Sequence, residues 1–202
     1  MNYFLSFVLG YLFGSIPTAY LILKKNNGID ITNSGSGNVG AMNSYEVTNS
    51  KKIGLIVLII DFLKGLIPVL ILKILFKDEF IYPALAIIFA IFSHCFNPWL
   101  RFKGGRGLAT AAGGAIILFP FLLIVWIILW LLVYLIKKDI LIANILSTIL
   151  SLFAVYFIKT IDLQFAYPKY ADINELIFLT TAGLLIIFIK HIEPLKEIIY
   201  KK

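Results

Sequence analysis

Long apolar runs separated by short polar gaps dominate the chain. A membrane-spanning helix needs ~20 apolar residues, within a range of about 17–25. Tyr3–Leu23, Ile53–Phe76, Ile81–Leu100, Tyr134–Ile158 (trimmed at Lys137–Asp139) and Ile173–Ile189 each fit that length. Leu108–Ile136 is 29 residues, long for one span and short for two, with Pro120 in its middle. Proline breaks or kinks a helix, so the stretch divides there into two short spans. No segment alternates like a strand. The pattern predicts an all-α fold, a polytopic membrane helical bundle of about seven transmembrane helices, forming one integral membrane domain over residues 1–202.

Charge supports the division at Pro120. With two short spans, one side carries Lys24, Lys25, Lys51, Lys52, Arg101, Lys103, Arg106, Lys137, Lys138, Lys190, Lys196, Lys201 and Lys202. The other carries only Lys77, Lys159 and Lys169. Positively charged loops stay cytoplasmic, which gives an N-out, C-in orientation. The first apolar run has no cation before it and two after it, the reverse of a signal peptide. Composition agrees: 60% of residues are hydrophobic and 14% charged, too apolar for a soluble domain. The net charge of +7 is then a matter of orientation, not of nucleic-acid binding. Cys95, the single cysteine, sits in an apolar run and reads as a small buried hydrophobe.

The polar gaps hold the candidate chemistry. Ser34-Gly35-Ser36-Gly37-Asn38-Val39-Gly40-Ala41-Met42-Asn43 lies between the first two spans. Its glycines permit positive φ and close backbone approach, and successive N–H groups in such a turn cradle an anion, helped by a helix starting near Ala41. A plain flexible connector has the same composition. Arg101-Phe102-Lys103-Gly104-Gly105-Arg106-Gly107-Leu108-Ala109-Thr110 combines three cations with three glycines. Arg106 suits bidentate phosphate binding and Lys103 acts as a point charge; an orientation anchor is the plainer reading. His191, in Lys190-His191-Ile192-Glu193, titrates near neutrality or donates to an anion unless it is merely interfacial. His94 reads as a packing residue. Asp61 and Lys64 share one helical face inside a span and are expected to pair. Trp99, Trp126 and Trp130 read as interface or lipid-facing aromatics. Two histidines, one cysteine and scattered carboxylates form no metal-ligand set, and no cofactor is expected. Gly35–Gly40 fits a G-x-G-x-x-G spacing but lacks a βαβ context.

In this order the segments Gly35–Asn43, Asp61-Phe62-Leu63-Lys64-Gly65, Phe102–Thr110 and Lys190–Glu193 resemble the PlsY family, bacterial membrane acyltransferases using acyl-phosphate and glycerol 3-phosphate. The resemblance implies a seven-helix bundle with its conserved loops on the cytoplasmic side. It also implies acyl transfer from acyl-phosphate to glycerol 3-phosphate, giving lysophosphatidate for phospholipid synthesis. Ser36, Arg106 and His191 would then be catalytic, and Gly37, Asn38, Asn43, Lys103, Gly104 and Gly105 would bind substrate beside membrane lipid. The chain departs from the family pattern at Met42, Glu46, Leu141 and Pro194, where the family has Thr, Arg, Ser and Asn. Glu46 puts an anion near two anionic substrates, and Lys51 or Lys52 is the expected compensating cation. Those departures keep open a non-catalytic protein binding a phosphorylated metabolite or lipid, and an acyltransferase with another acceptor.

Overall fold

The computed structural model describes residues 2–158, 166–167 and 172–200. Among them the chain forms helices α1 (Asn2–Ser15), α2 (Thr18–Asn27), α3 (Ala41–Thr48), α4 (Lys51–Leu75), α5 (Ile81–Cys95), α6 (Leu108–Leu118), α7 (Pro120–Lys137), α8 (Ile140–Ile158), α9 (Ile173–Ile189) and α10 (Ile192–Tyr200), with no strand. The expected all-α membrane bundle is present. Asn2–Asn27, α4, Ile81–Leu100, α7 and α8 are long and apolar enough to cross a membrane, and α6 and α9 are shorter apolar helices. The expectations for Lys159, Lys169, Lys201 and Lys202 lie outside the described residues.

Prolines place two of the boundaries. Tyr3–Leu23, expected as one continuous helix, breaks at Ile16–Pro17 into α1 and α2. Pro17 has no N–H to donate and disfavours helical geometry in the residue before it. The chain restarts with the Thr18 N–H on the Ile16 carbonyl at 2.9 Å. The 29-residue stretch divides at Phe119, whose φ of −136° ends α6 just before Pro120 opens α7. Pro68, by contrast, is absorbed within α4.

Contacts set the direction of each pass. The Tyr3 and Tyr82 rings lie 5.2 Å apart at one end, and the Asn97 amide donates to the Ser15 carbonyl at 2.8 Å at the other. Thus α1 and α5 run side by side in the same sense. Thr110 Oγ1 donates to the Asp61 carbonyl at 3.0 Å, and Phe119 meets Phe80 edge-on at 5.6 Å. These contacts lay α6 along α4. Val69, Ile91, Leu118, Leu179 and Ile187 form the core where α4, α5, α6 and α9 meet. As the sequence predicts, Lys64 and Asp61 pair at 2.6 Å within this buried region. Lipid offers an unpaired polar group no partner, so such side chains bond to each other.

Trp126 and Trp130, expected as interface or lipid-facing aromatics, are half-buried on α7. Their indole N–H groups donate to Thr148 Oγ1 at 3.3 Å and Asn144 Oδ1 at 2.7 Å on α8. Although α7 has no buried residue, two polar bonds tie it to the bundle. The same end of the bundle gathers residues 30–50, 96–107, the α7–α8 turn and the α9–α10 junction.

Candidate active site

The first glycine loop is built from its flanks. Asp30 accepts bonds from the Thr32 N–H at 3.0 Å and the Thr32 hydroxyl at 2.7 Å, closing a turn over Ile31–Asn33. The Thr32 hydroxyl bond holds this exposed carboxyl below its usual range. Gly35 and Gly37 then take φ of +58° and +68°, which a Cβ would strain. Asn43, in the first turn of α3 and 1% exposed, fixes the loop from inside. Its Oδ1 accepts from the Ser36 N–H at 3.0 Å, and its Nδ2 donates to the carbonyls of Ser34 at 3.0 Å and Asn38 at 2.9 Å. Asn43 thus holds Ser36 and Asn38 in register with each other.

The second glycine loop folds onto the first. The Val39 N–H donates to the Gly104 carbonyl at 3.3 Å, and Lys103 Nζ donates to Asn33 Oδ1 at 3.5 Å. The Gly105 N–H donates to the His94 carbonyl at 3.1 Å. A Cβ on Gly105 would run into the His94 imidazole and come within 2.9 Å of the Val39 carbonyl oxygen, so only glycine fits. His94 is therefore a buried floor for this loop, and its Nδ1 lies 3.9 Å from Asp61. The ion pair inside the bundle and the loop above it are thereby in contact.

Two adjoining pockets result. The first, about 380 Å³, is lined by Ser36, Gly37, Asn38, Lys103, Gly104, Arg106, Lys190 and Glu193 among others. The second, about 420 Å³, is lined by Ser36, Asn43, Glu46, Arg106, Lys138 and Asp139 together with Met42, Tyr134, Ile140, Leu141 and Pro194. Ser36, Arg106 and Pro194 belong to both and form the shared wall.

Of the residues expected at the site, Ser36, Gly37, Asn38, Asn43, Lys103, Gly104 and Arg106 line a pocket. Gly105 lies beneath the loop, and His191 stands behind the pocket wall, fully buried. His191 Nδ1 lies 2.8 Å from the Ile187 carbonyl, which only accepts, so Nδ1 carries the proton. Nε2 is then an acceptor, buried and unpartnered among the described residues. Burial pushes the imidazole down to about 4, and the Arg106 charge reinforces it against the opposing Ile187 bond. Near neutral pH His191 is an uncharged base and not a cationic phosphate donor. Lys51 and Lys52, expected to compensate Glu46, are exposed at the start of α4 and line neither pocket. Lys138, Asp139, Lys190 and Glu193 line the pockets although sequence reasoning left them out of the site. Lys137–Asp139 read as a polar trim between apolar runs, which was the available signal. Met42, Glu46, Leu141 and Pro194 all line the second pocket.

The glycerol-3-phosphate acyltransferase family model matches residues 4–201. A glycerol-3-phosphate acyltransferase of Helicobacter pylori is 40% identical over 119 residues, covering 56% of this chain and 54% of the relative. One from Geotalea daltonii is 46% identical over 127 residues, covering 57% and 64%. The chain thus spans just over half the length of the Helicobacter pylori relative. The crystal structure of PlsY, an integral membrane glycerol 3-phosphate acyltransferase, in its glycerol 3-phosphate form superposes with a TM-score of 0.81 at 28% identity, over 99% of this chain and 92% of that one. Its lysophosphatidic acid form gives a TM-score of 0.79. The chain is an integral membrane protein of the glycerol-3-phosphate acyltransferase family.

Proposed function

We propose that this protein transfers an acyl group from acyl-phosphate to the 1-hydroxyl of glycerol 3-phosphate, at the cytoplasmic face of a bacterial inner membrane. The observation that carries the reading is the docking of the two glycine loops, which leaves two pockets with Ser36 and Arg106 between them. Family membership and the likeness to PlsY support glycerol 3-phosphate as the acceptor, and the motif resemblance supports acyl-phosphate as the donor. The orientation follows from charge. Lys24, Lys51, Arg101, Lys137 and Lys190 flank the pocket end, while Lys77 lies at the other. Seven crossings, N-out and C-in, satisfy that distribution.

Acyl-phosphate is already an activated mixed anhydride, so no covalent enzyme intermediate is needed. The acceptor oxygen attacks the acyl carbon, the carbon–oxygen bond to phosphorus breaks, and phosphate leaves with the electron pair. The hydroxyl proton goes to the departing phosphate, because His191 Nε2 is buried and lines neither pocket. Ser36, the backbone at Gly37, Asn38 and the cations Lys103 and Arg106 hold the acyl-phosphate head group and the charge developing on the carbonyl oxygen. Positioning and preorganised charge supply the rate in this scheme. The acyl tail enters laterally from lipid.

Purified protein given palmitoyl-phosphate and labelled glycerol 3-phosphate should form lysophosphatidate. Product no higher than in a heat-inactivated control rejects the reading. A second reading keeps acyl transfer but changes the acceptor. It is favoured by Glu46, Leu141 and Pro194 lying together in the second pocket, and activity with another polyol phosphate alone would select it.

A further inference from the structure

The two pockets differ in charge. The first is faced by Lys103, Arg106 and Lys190 against Glu193, the one carboxylate among its described lining residues. The second has Arg106 and Lys138 against Glu46 and Asp139. Arg106 is common to both, so the second pocket has one cation of its own. Asp139 is already engaged: its Oδ1 accepts the N–H groups of Leu141 at 2.7 Å and Ile142 at 2.9 Å, capping α8. A carboxylate at a helix N-terminus is partly neutralised by that end's positive charge. The anion left facing the pocket is Glu46.

Resting on the acyl-transfer reading, we propose that Lys138 is the phosphate-binding cation of the second pocket, seating the phosphate of a small phosphorylated polyol across from Glu46. The backbone fixes where this lysine begins. Lys138 ends α7 with φ of +53°, and its N–H donates to the Tyr134 carbonyl at 2.8 Å. Its ammonium lies 6.0 Å from the Tyr134 ring centroid, and no carboxylate among the described residues comes within 4.0 Å of it. The α7–α8 turn therefore brings to this pocket a lysine with no carboxylate partner among the described residues, and Glu46 lines the same pocket. A phosphate beside Glu46 meets repulsion that Arg106 must share with the other pocket, and Lys138 supplies the balance. Glu46, an acceptor only, suits a polyol hydroxyl at the far end of the same ligand.

The test uses the full chain in detergent micelles, assayed with palmitoyl-phosphate and glycerol 3-phosphate. A charged hydrogen bond of this kind corresponds to about ten-fold or more in affinity. Lys138→Ala should raise KM for glycerol 3-phosphate about ten-fold, leaving KM for palmitoyl-phosphate within about two-fold. Lys138→Arg should restore most of the loss, and Lys137→Ala, on the neighbouring exposed lysine, should change neither. Equilibrium binding of radiolabelled glycerol 3-phosphate without acyl donor gives a second readout that does not need turnover. A KM and Kd for Lys138→Ala within two-fold of the parent overturn the proposal, as does a parent chain that binds no glycerol 3-phosphate. Binding that depends on Lys138 in a chain without acyl transfer would overturn the catalytic reading alone.

Discussion

Asn43 is where one side chain decides whether the first glycine loop is a site or a floppy connector. Its amide makes three hydrogen bonds of 2.9–3.0 Å, one accepted from Ser36 and two donated to Ser34 and Asn38. A neutral hydrogen bond contributes about 0.5–1.5 kcal/mol net, so the three together hold the loop by about 3 kcal/mol. Each ~1.4 kcal/mol is a factor of ten, so Asn43→Ala should lower the closed-to-open equilibrium constant of the loop about 100-fold. If Ser36 and Asn38 cradle the acyl-phosphate, kcat/KM for lysophosphatidate formation should fall on the same scale. Asn43→Asp is the sharper variant. It keeps an acceptor for Ser36 but aims a carboxylate at two carbonyl oxygens, so it should be at least as damaging. Helical circular dichroism on heating in detergent provides the control, because the lost bonds are local to one loop and α3. An Asn43→Ala enzyme whose kcat/KM stays within three-fold of the parent refutes the reasoning. So does an Asn43→Asp enzyme more active than Asn43→Ala.

Arg106→Ala should abolish most acyl transfer, whereas Lys77→Ala, at the opposite end of the bundle, should not; equal effects in the palmitoyl-phosphate assay remove Arg106 from the site. Gly105→Ala should open the contact between the loops, because the new methyl group meets the His94 ring, and a thermal midpoint and activity both unchanged would contradict that packing. Lys64→Met, which strands the buried Asp61 carboxylate, should cost about 3–5 kcal/mol, and adding Asp61→Asn should recover part of it; a double variant less stable than the single one argues against the pair. His191 stays neutral in the folded chain down to about 4 but protonates near its ordinary 6.5 when unfolded. The unfolded state takes the proton first, so stability is full above pH ~6.5 and declines toward pH ~4, by about 3 kcal/mol at most. His191→Gln should reduce the slope of unfolding free energy across that window, and an unchanged slope would show that His191 does not contribute to it.

The helices were legible because the bilayer imposes a length and a polarity, and both are written along the chain. The break at Pro120 was readable from charge, since only a reversal there keeps Lys137 and Lys138 with the other cations. The break at Pro17 was not: the apolar run continues through it, and Pro68 shows that a proline inside a span need not end the helix. The polar bonds of the α7 tryptophans were illegible for a related reason. Trp126 and Trp130 have the same composition whether they face headgroups or bond to α8, and only the register of Asn144 and Thr148 decides. At the site, glycine and charge marked the two loops, but contact between Val39 and Gly104 is a tertiary fact with no local signature. Lys138 carried no signal as a pocket residue because lysines beside apolar runs are already explained by membrane orientation.

Placing Ser36 and Arg106 on a shared wall has a consequence for how two anions are held at once. Two unit charges about 6 Å apart repel by about 3 kcal/mol at an effective dielectric of 20, and phosphates carry more than one charge each. One guanidinium between them lowers that cost for both, yet it cannot neutralise either alone. The first pocket adds Lys103 and Lys190, and the second adds Lys138, so each ligand brings its neighbour no closer to an uncompensated charge. On the proposed reading, when the acyl group crosses the wall the donor's phosphate gains negative charge while Arg106 and the two lysines of the first pocket are already in place. In this scheme the excess of positive charge in the first pocket sits where charge builds up during the reaction. The near-neutral second pocket sits where the acceptor's charge does not change.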